Sequence, residues 1–102
     1  MIEFEDLCNT FATDPRVVRG KMFGKECLKI GGKAFLAQQG SYVVFKLNSP
    51  LLEQALALDR AVSWDPSGKG RPMREWVALP AENVKKFKKL AQAALSYVES
   101  LT

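Results

Sequence analysis

Two adjacent glycines, Gly31 and Gly32, stand between two short apolar segments and restrict the fold of this chain more than any other feature. Cys27–Ile30 precedes them and Lys33–Ala37 follows them. A two-residue type I′ turn needs a positive φ at both central positions, which glycine adopts without steric cost. The pattern therefore predicts a β-hairpin here, and with it an antiparallel sheet.

Similar signals on both sides of this hairpin predict further strands and three helices. Phe4, Leu7, Cys8 and Phe11 recur at helical spacing and predict a first helix over about residues 2–13. Further strands are predicted at 20–23, 41–47, 61–64 and 75–79. Ser49-Pro50 is typical of a helix start, with serine as N-cap and proline at the first helical position. A last helix is predicted after Pro80, and its apolar stripe consists of Val84, Phe87, Leu90, Ala91, Ala94, Leu95, Val98 and Leu101.

The order of these elements, α-β-β-β-β-α-β-β-α, predicts an α+β fold. Runs of strands rather than strict β-α alternation favour two layers, in which a curved antiparallel sheet of about six short strands packs against helices. A chain of 102 residues, 47% apolar and 25% charged, is long enough to form one hydrophobic core. Without a repeat or a linker, residues 1–102 are predicted to form a single domain.

The chain has no histidine, which removes the commonest general base and the commonest metal ligand. Cys8 and Cys27 lie far apart and match no zinc or CxxC spacing, and they are interpreted as buried small apolar residues. A reactive Cys27 remains an alternative, because alternation places Lys29 on the same sheet face. We therefore expect no catalytic residues, no metal, no cofactor and no enzymatic activity.

The location expected from the sequence is the cytoplasm. The N-terminal segment is acidic, whereas a secretory signal needs a basic start and an apolar run. No apolar stretch approaches the roughly 20 residues that span a bilayer, so no membrane contact is expected.

The net charge of +4 divides into an acidic N-terminal segment and two basic blocks, residues 16–33 and 66–89. If both blocks lay on one face, they would form an electrostatic footprint for nucleic acid. In the competing interpretation, the lysines of the last helix are simply its solvated side. The candidate nucleic-acid-binding residues are Lys69, Arg71, Arg74, Lys85, Lys88 and Lys89.

The aromatic residues suggest one further site. Met22, Phe23 and Trp76 are candidates for a small-ligand pocket between the sheet and the helices. Trp64 and Trp76 flank the basic loop, where they either stack on a base or close the open end of the sheet as packing residues.

Four segments in register resemble the N-terminal domain of the TfoX/Sxy proteins, bacterial regulators of natural competence. They are Lys21–Gly24, Gly32–Phe35, Val44–Lys46 and Gly70–Pro80, and the resemblance runs from about Asp14 into the last helix. It is closest to the short, stand-alone members of that family. A looser likeness is to the YjbR/MmcQ family, which usually carries a histidine-containing segment that this chain lacks.

The resemblance implies a fold like that of the type III secretion chaperones and supplies no catalytic residues. Full-length TfoX proteins have a second domain resembling helix-hairpin-helix modules, to which this chain has no counterpart, so competence regulation is not transferred. The implied function is a non-enzymatic regulatory or protein-interaction module, with a protein partner or self-association as a dimer through a sheet edge or face. A nucleic-acid-binding accessory domain and a small-ligand-binding domain are the alternatives.

Overall fold

A computed structural model describes residues 3–66, 70 and 73–101, with three α-helices and six strands in the predicted order. The first part contains α1 (Glu3–Thr10), β1 (Val17–Met22), β2 (Lys25–Ile30), β3 (Lys33–Gln39) and β4 (Tyr42–Lys46). The second part contains α2 (Leu51–Leu56), β5 (Val62–Ser63), β6 (Trp76–Leu79), a 3-10 helix (Ala81–Lys86) and α3 (Phe87–Ser100). The predicted α+β class is confirmed.

The six strands form one antiparallel sheet in the order β1-β2-β3-β4-β6-β5. The first four strands follow one another as a meander, whereas β6 lies between β4 and β5. Gly31 and Gly32 have φ angles of 59° and 81°, so the glycine pair forms the expected tight turn between β2 and β3.

A β-bulge in β3 brings two consecutive large residues into the same core. Leu28 pairs with Leu36 and Lys29 pairs with Ala34, which leaves Phe35 as the extra residue. Phe35 and Leu36 both pack in the core beneath the helices, although strict alternation would direct one of them to the opposite face.

The helices cover one face of the sheet with large apolar side chains. α1 supplies Phe4 and Leu7, and the sheet supplies residues such as Phe45, whose ring centroid lies 5.3 Å from that of Phe87 on α3. The buried residues of α3 are Phe87, Leu90, Ala91, Ala94, Leu95 and Val98. The two ends of the expected stripe, Val84 and Leu101, are exposed.

Two helix starts differ from the sequence-based expectation. α2 begins at Leu51 with Pro50 as its N-cap, and the Ser49 hydroxyl donates to the Glu53 carboxylate over 2.6 Å rather than capping the backbone. The last helix begins as a 3-10 segment, Ala81–Lys86, which is kinked at Asn83. The buried side-chain amide of Asn83 donates to the Asp59 carbonyl over 2.7 Å and ties this segment to the connection that follows α2.

None of the helices described is both long and apolar enough to cross a membrane.

Candidate interaction surface on the open face of the sheet

The face of the sheet that the helices leave uncovered, here called the open face, has a small apolar cluster of its own. The cluster consists of Cys27, Ala37, Val44, Trp64, Trp76 and Ala78, with Met22, Ala34, Tyr42 and Met73 packed against it. The central strands contribute small side chains, and the two tryptophans, whose ring centroids are 5.1 Å apart, supply the bulk. Side chains of the strands and their connections therefore shield the centre of this face from water.

Trp64 crosses the open face and meets residues from the other half of the sheet. It follows β5, yet its indole N–H donates to the side-chain oxygen of Gln39 on β3. The ring of Phe23, in the turn between β1 and β2, lies 6.4 Å from the Trp64 ring. The outermost strands of a flat six-stranded sheet lie about 24 Å apart. The sheet therefore curls toward its open face, as the predicted curvature requires.

Phe23 has a backbone conformation that large side chains rarely adopt. The sequence predicts it as the end of a strand, but Phe23 and Gly24 have φ angles of 55° and 76° and form the turn between β1 and β2. A bulky residue with positive φ costs on the order of 1 kcal/mol. The ring is nevertheless 63% exposed, so core packing alone does not account for a phenylalanine at this position.

Two further exposed apolar residues lie on the same face. Val18 on β1 is 61% exposed and pairs with Lys29, and Val62 on β5 is 47% exposed and pairs with Ala78 of the open-face cluster. Among the described residues, the other large apolar side chains with such exposure belong to the helical layer. The open face therefore has an apolar rim formed by Val18, Phe23 and Val62.

Three lysines on the open face have no carboxylate partner among the described residues. Lys25 lies opposite Met22 in the strand register, and the Lys29 side chain extends beside Gly20. The Lys46 ammonium lies 5.7 Å from the centre of the Trp76 ring. The described cations that do form ion pairs are Arg16, Arg19, Lys21 and Arg60, whose partners are Asp14, Glu99, Glu5, Glu26 and Glu82. These three lysines therefore carry positive charge on the open face that no described carboxylate pairs with.

Cys27 lies at the centre of this face and is fully buried. Burial raises the pKa of its thiol, and the positive charge of Lys29 offsets this only in part. Burial likewise raises the pKa of Cys8. Both sulfurs are therefore protonated at neutral pH, which argues against the alternative of a reactive Cys27.

The described candidate nucleic-acid-binding residues line three different cavities. Lys69 and Arg71 lie outside the described residues. Arg74 is exposed and lines an open cavity of about 750 Å³ between α2 and β6. Lys85 and Lys88 line a second cavity beside Asp6 and Leu7 of α1, whereas Lys89 lines a third against α2.

The first basic block is divided between the two faces of the sheet, because Lys21 and Lys33 lie on the covered face. Lys25 and Lys29 of the first block lie on the open face, whereas Lys85, Lys86, Lys88 and Lys89 of the second are exposed on the 3-10 helix and α3, in the helical layer. Lys25 and Lys29 therefore do not share a surface with the lysines of the 3-10 helix and α3.

The candidate pocket residues come together, but not at the expected place. Met22 and Trp76 pack in the open-face cluster, and Phe23 lies on its rim. The expected location is between the sheet and the helices, whereas Met22 and Trp76 pack on the open face, and Trp76 also lines the cavity between α2 and β6. Lys46, Val18 and Val62 were missed as surface residues, although alternation from the apolar positions of each strand indicates their faces.

Among the described residues, no three side chains of the His, Cys, Asp or Glu type gather as they would around a metal ion. Comparisons of the chain with family models, with curated proteins and with solved structures found no match.

Proposed function

We propose that this chain is a non-enzymatic regulatory or protein-interaction domain, in keeping with its resemblance to the TfoX N-terminal domain, and that it docks a protein on its open face. The observation that carries the proposal is Phe23, which combines a positive φ with 63% exposure. Strain of this kind persists only where the surroundings impose it, and it concentrates at contact and switch sites. A large exposed aromatic side chain is a typical anchor of protein interfaces.

The surroundings of Phe23 support docking rather than a solvated surface. Val18 and Val62 extend the apolar rim, and Trp64 supports the Phe23 ring from behind through an edge contact. Positioning of this kind lowers the entropy that the anchor loses on binding. Lys25, Lys29 and Lys46 surround the apolar residues with positive charge, as the polar rim of an interface does.

The experiment compares Phe23→Asn with Val84→Ser. Asparagine tolerates the left-handed conformation, so Phe23→Asn removes the anchor while retaining the turn. Val84 is an exposed apolar residue of the helical layer and serves as the matched control. Proteins retained on the immobilised wild type are expected to be retained on Val84→Ser and lost from Phe23→Asn.

Light scattering measures whether the wild type, Phe23→Asn and Val84→Ser each self-associate. A strict monomer at high concentration that retains no Phe23-dependent protein contradicts the proposal.

A second candidate function, nucleic-acid binding, is favoured by one observation. Lys85, Lys86, Lys88 and Lys89 are exposed on neighbouring turns, and none forms an ion pair within the described part of the chain. Phosphate contacts release counterions, so affinity falls steeply with salt.

Fluorescence anisotropy with single- and double-stranded DNA, at about 50 and 200 mM salt, tests this candidate. Replacing Lys85, Lys88 and Lys89 by glutamine is expected to weaken the salt dependence. The slope of log affinity against log salt concentration becomes shallower by about 0.9 for each phosphate that is no longer neutralised. Lys33→Gln, in β3, serves as the control. A flat response to salt by the wild type contradicts nucleic-acid binding.

A further inference from the structure

β1 is an edge strand with one free side. It pairs with β2 over its whole length, Val17–Met22, and with no other described strand. On the free side, every second residue directs its backbone N–H and C=O outward. The other edge strand, β5, has only two residues. Among the described strands, β1 is therefore the edge long enough to accept an additional strand.

The open-face side chains of β1 form an apolar row with a gap at its centre. Val18 and Met22 lie on either side of Gly20, and Phe23 follows at the end of the row. Gly20 does not have a positive φ, so the backbone conformation does not require glycine at this position. Glycine inside a strand often marks a close approach, and here the group that approaches is the Lys29 side chain.

Lys29 occupies the space above Gly20. A Cβ built on Gly20 would lie 3.4 Å from Lys29 Cε and 3.8 Å from Lys29 Nζ. The Lys29 side chain therefore extends from β2 toward the edge of the sheet, where its ammonium is within reach of a strand added beside β1. Glu26, the one acidic residue of the β1–β2 hairpin, lies on the opposite face with Arg19 and Lys21, and no carboxylate in the described part of the chain forms an ion pair with Lys29.

We propose that β1 accepts an extended acidic segment of a partner protein as a seventh strand of the sheet. The segment places an acidic residue opposite Gly20, where its carboxylate pairs with Lys29 Nζ, and apolar residues opposite Val18 and Met22 (apolar-x-acidic-x-apolar). Backbone hydrogen bonds to the β1 edge supply affinity, and the alternate side chains supply specificity. This inference rests on the proposed interaction function and identifies the chemistry of the partner.

Charge argues against a second copy of this chain as the occupant. β1 has the sequence Val-Val-Arg-Gly-Lys-Met and contains no acidic residue that could reach Lys29. Antiparallel pairing of two β1 strands would instead bring Arg19 and Lys21 of both copies together. Like charges directly opposite each other on paired strands destabilise the pairing.

The test uses the peptide Ser-Thr-Val-Thr-Glu-Thr-Val-Thr-Ser, capped at both ends, and a second peptide with lysine in place of glutamate. Each is titrated into the uniformly ¹⁵N-labelled full chain, and the amide shifts are recorded. The glutamate peptide is expected to shift the amides of residues 17–23 and to bind at least tenfold more tightly than the lysine peptide. The peptide has two alternate sets of backbone amides, and only one set faces β1. N-methylation of that set is expected to abolish binding, because its amides can then no longer donate hydrogen bonds to β1, whereas N-methylation of the other set is expected to leave binding intact.

Charge reversal provides the matched comparison. Lys29→Glu is expected to reverse the preference, so that the lysine peptide binds more tightly, whereas Lys33→Glu, on the face covered by the helices, leaves the preference unchanged. Equal binding of both peptides, or the absence of shifts at residues 17–23, overturns the seventh-strand proposal. Shifts of the same amides by oligothymidine but not by the peptide overturn it in favour of nucleic acid. If proteins are still retained in a Phe23-dependent manner, the interaction function stands although the acidic strand fails.

Discussion

The two faces of the sheet are built by different means from the same strands. On the covered face, Phe35, Phe45 and other large residues fill the space beneath the helices, and Arg16 and Arg19 beside this layer have carboxylate partners. On the open face, small residues and two tryptophans form a thin cluster, and the lysines have no described carboxylate partner. The covered face therefore supplies most of the buried core, whereas the open face leaves charge and apolar surface exposed, and it is this surface on which we propose that a protein docks.

The largest expected effect is a difference in unfolding free energy between substitutions of two phenylalanines, one on each face of the sheet. Phe45 is fully buried on the covered face, so Phe45→Ala is expected to cost about 3–5 kcal/mol of unfolding free energy. Phe23 is mostly exposed, and Phe23→Asn is expected to change stability by less than about 1 kcal/mol. Denaturant unfolding measures both. Equal losses would mean that the open face is as much a core as the covered one.

A smaller effect distinguishes the two tryptophans of the open face. Trp64→Phe removes the indole N–H that donates to Gln39, whereas the Trp76 indole N–H has no hydrogen-bond partner in the described part of the chain. Both substitutions reduce ring size, so the loss of the hydrogen bond is expected to cost Trp64→Phe about 1 kcal/mol more than Trp76→Phe. Equal unfolding free energies would contradict a positioned Trp64 and weaken the support it gives to Phe23.

The smallest expected effect is on acid stability, and it concerns the covered side. Arg16 lowers the pKa of Asp14 from 3.8 to about 2 through hydrogen bonds to the carboxylate. Because the folded-state pKa is depressed, the stabilisation is present above about pH 4 and is lost as the pH falls toward 2. Asp14→Asn is expected to reduce the fall in melting temperature between about pH 4 and 2.5. Lys29→Gln on the open face serves as the control and is expected to leave that fall unchanged.

Local patterns in the sequence predicted most of the fold. The Gly31-Gly32 turn, the strand order along the chain and the buried stripe of α3 follow from spacing and turn chemistry, which act between near neighbours. The bulge at Phe35 was not predictable, because it depends on which β3 residue pairs with Leu28. The turn at Phe23 was missed because a phenylalanine has an unfavourable energy at positive φ, and only Gly24 after it indicates a turn.

The candidate site was less predictable than the fold, because it depends on which layer each element joins. The sequence does not distinguish Lys25 and Lys29 from Lys85 and Lys89, and only packing places the two pairs on opposite sides of the sheet. Gly20 and Lys29 are nine positions apart, and their contact arises from strand register. Alternation from Cys27 correctly assigned Lys29 to its face, but not its extension over Gly20.

The place of β6 in the sheet has a consequence for the chain as it leaves the ribosome. The first four strands complete a meander at Lys46, but β4 gains its second neighbour only when Trp76–Leu79 has been made. At ordinary synthesis rates this delay is on the order of seconds. During that time Val43, Val44 and Phe45 form an unpaired edge that is apolar on both faces, which is a template for aggregation. The nascent chain is therefore most vulnerable in the interval between β4 and β6, when a chaperone that covers strand edges would matter most.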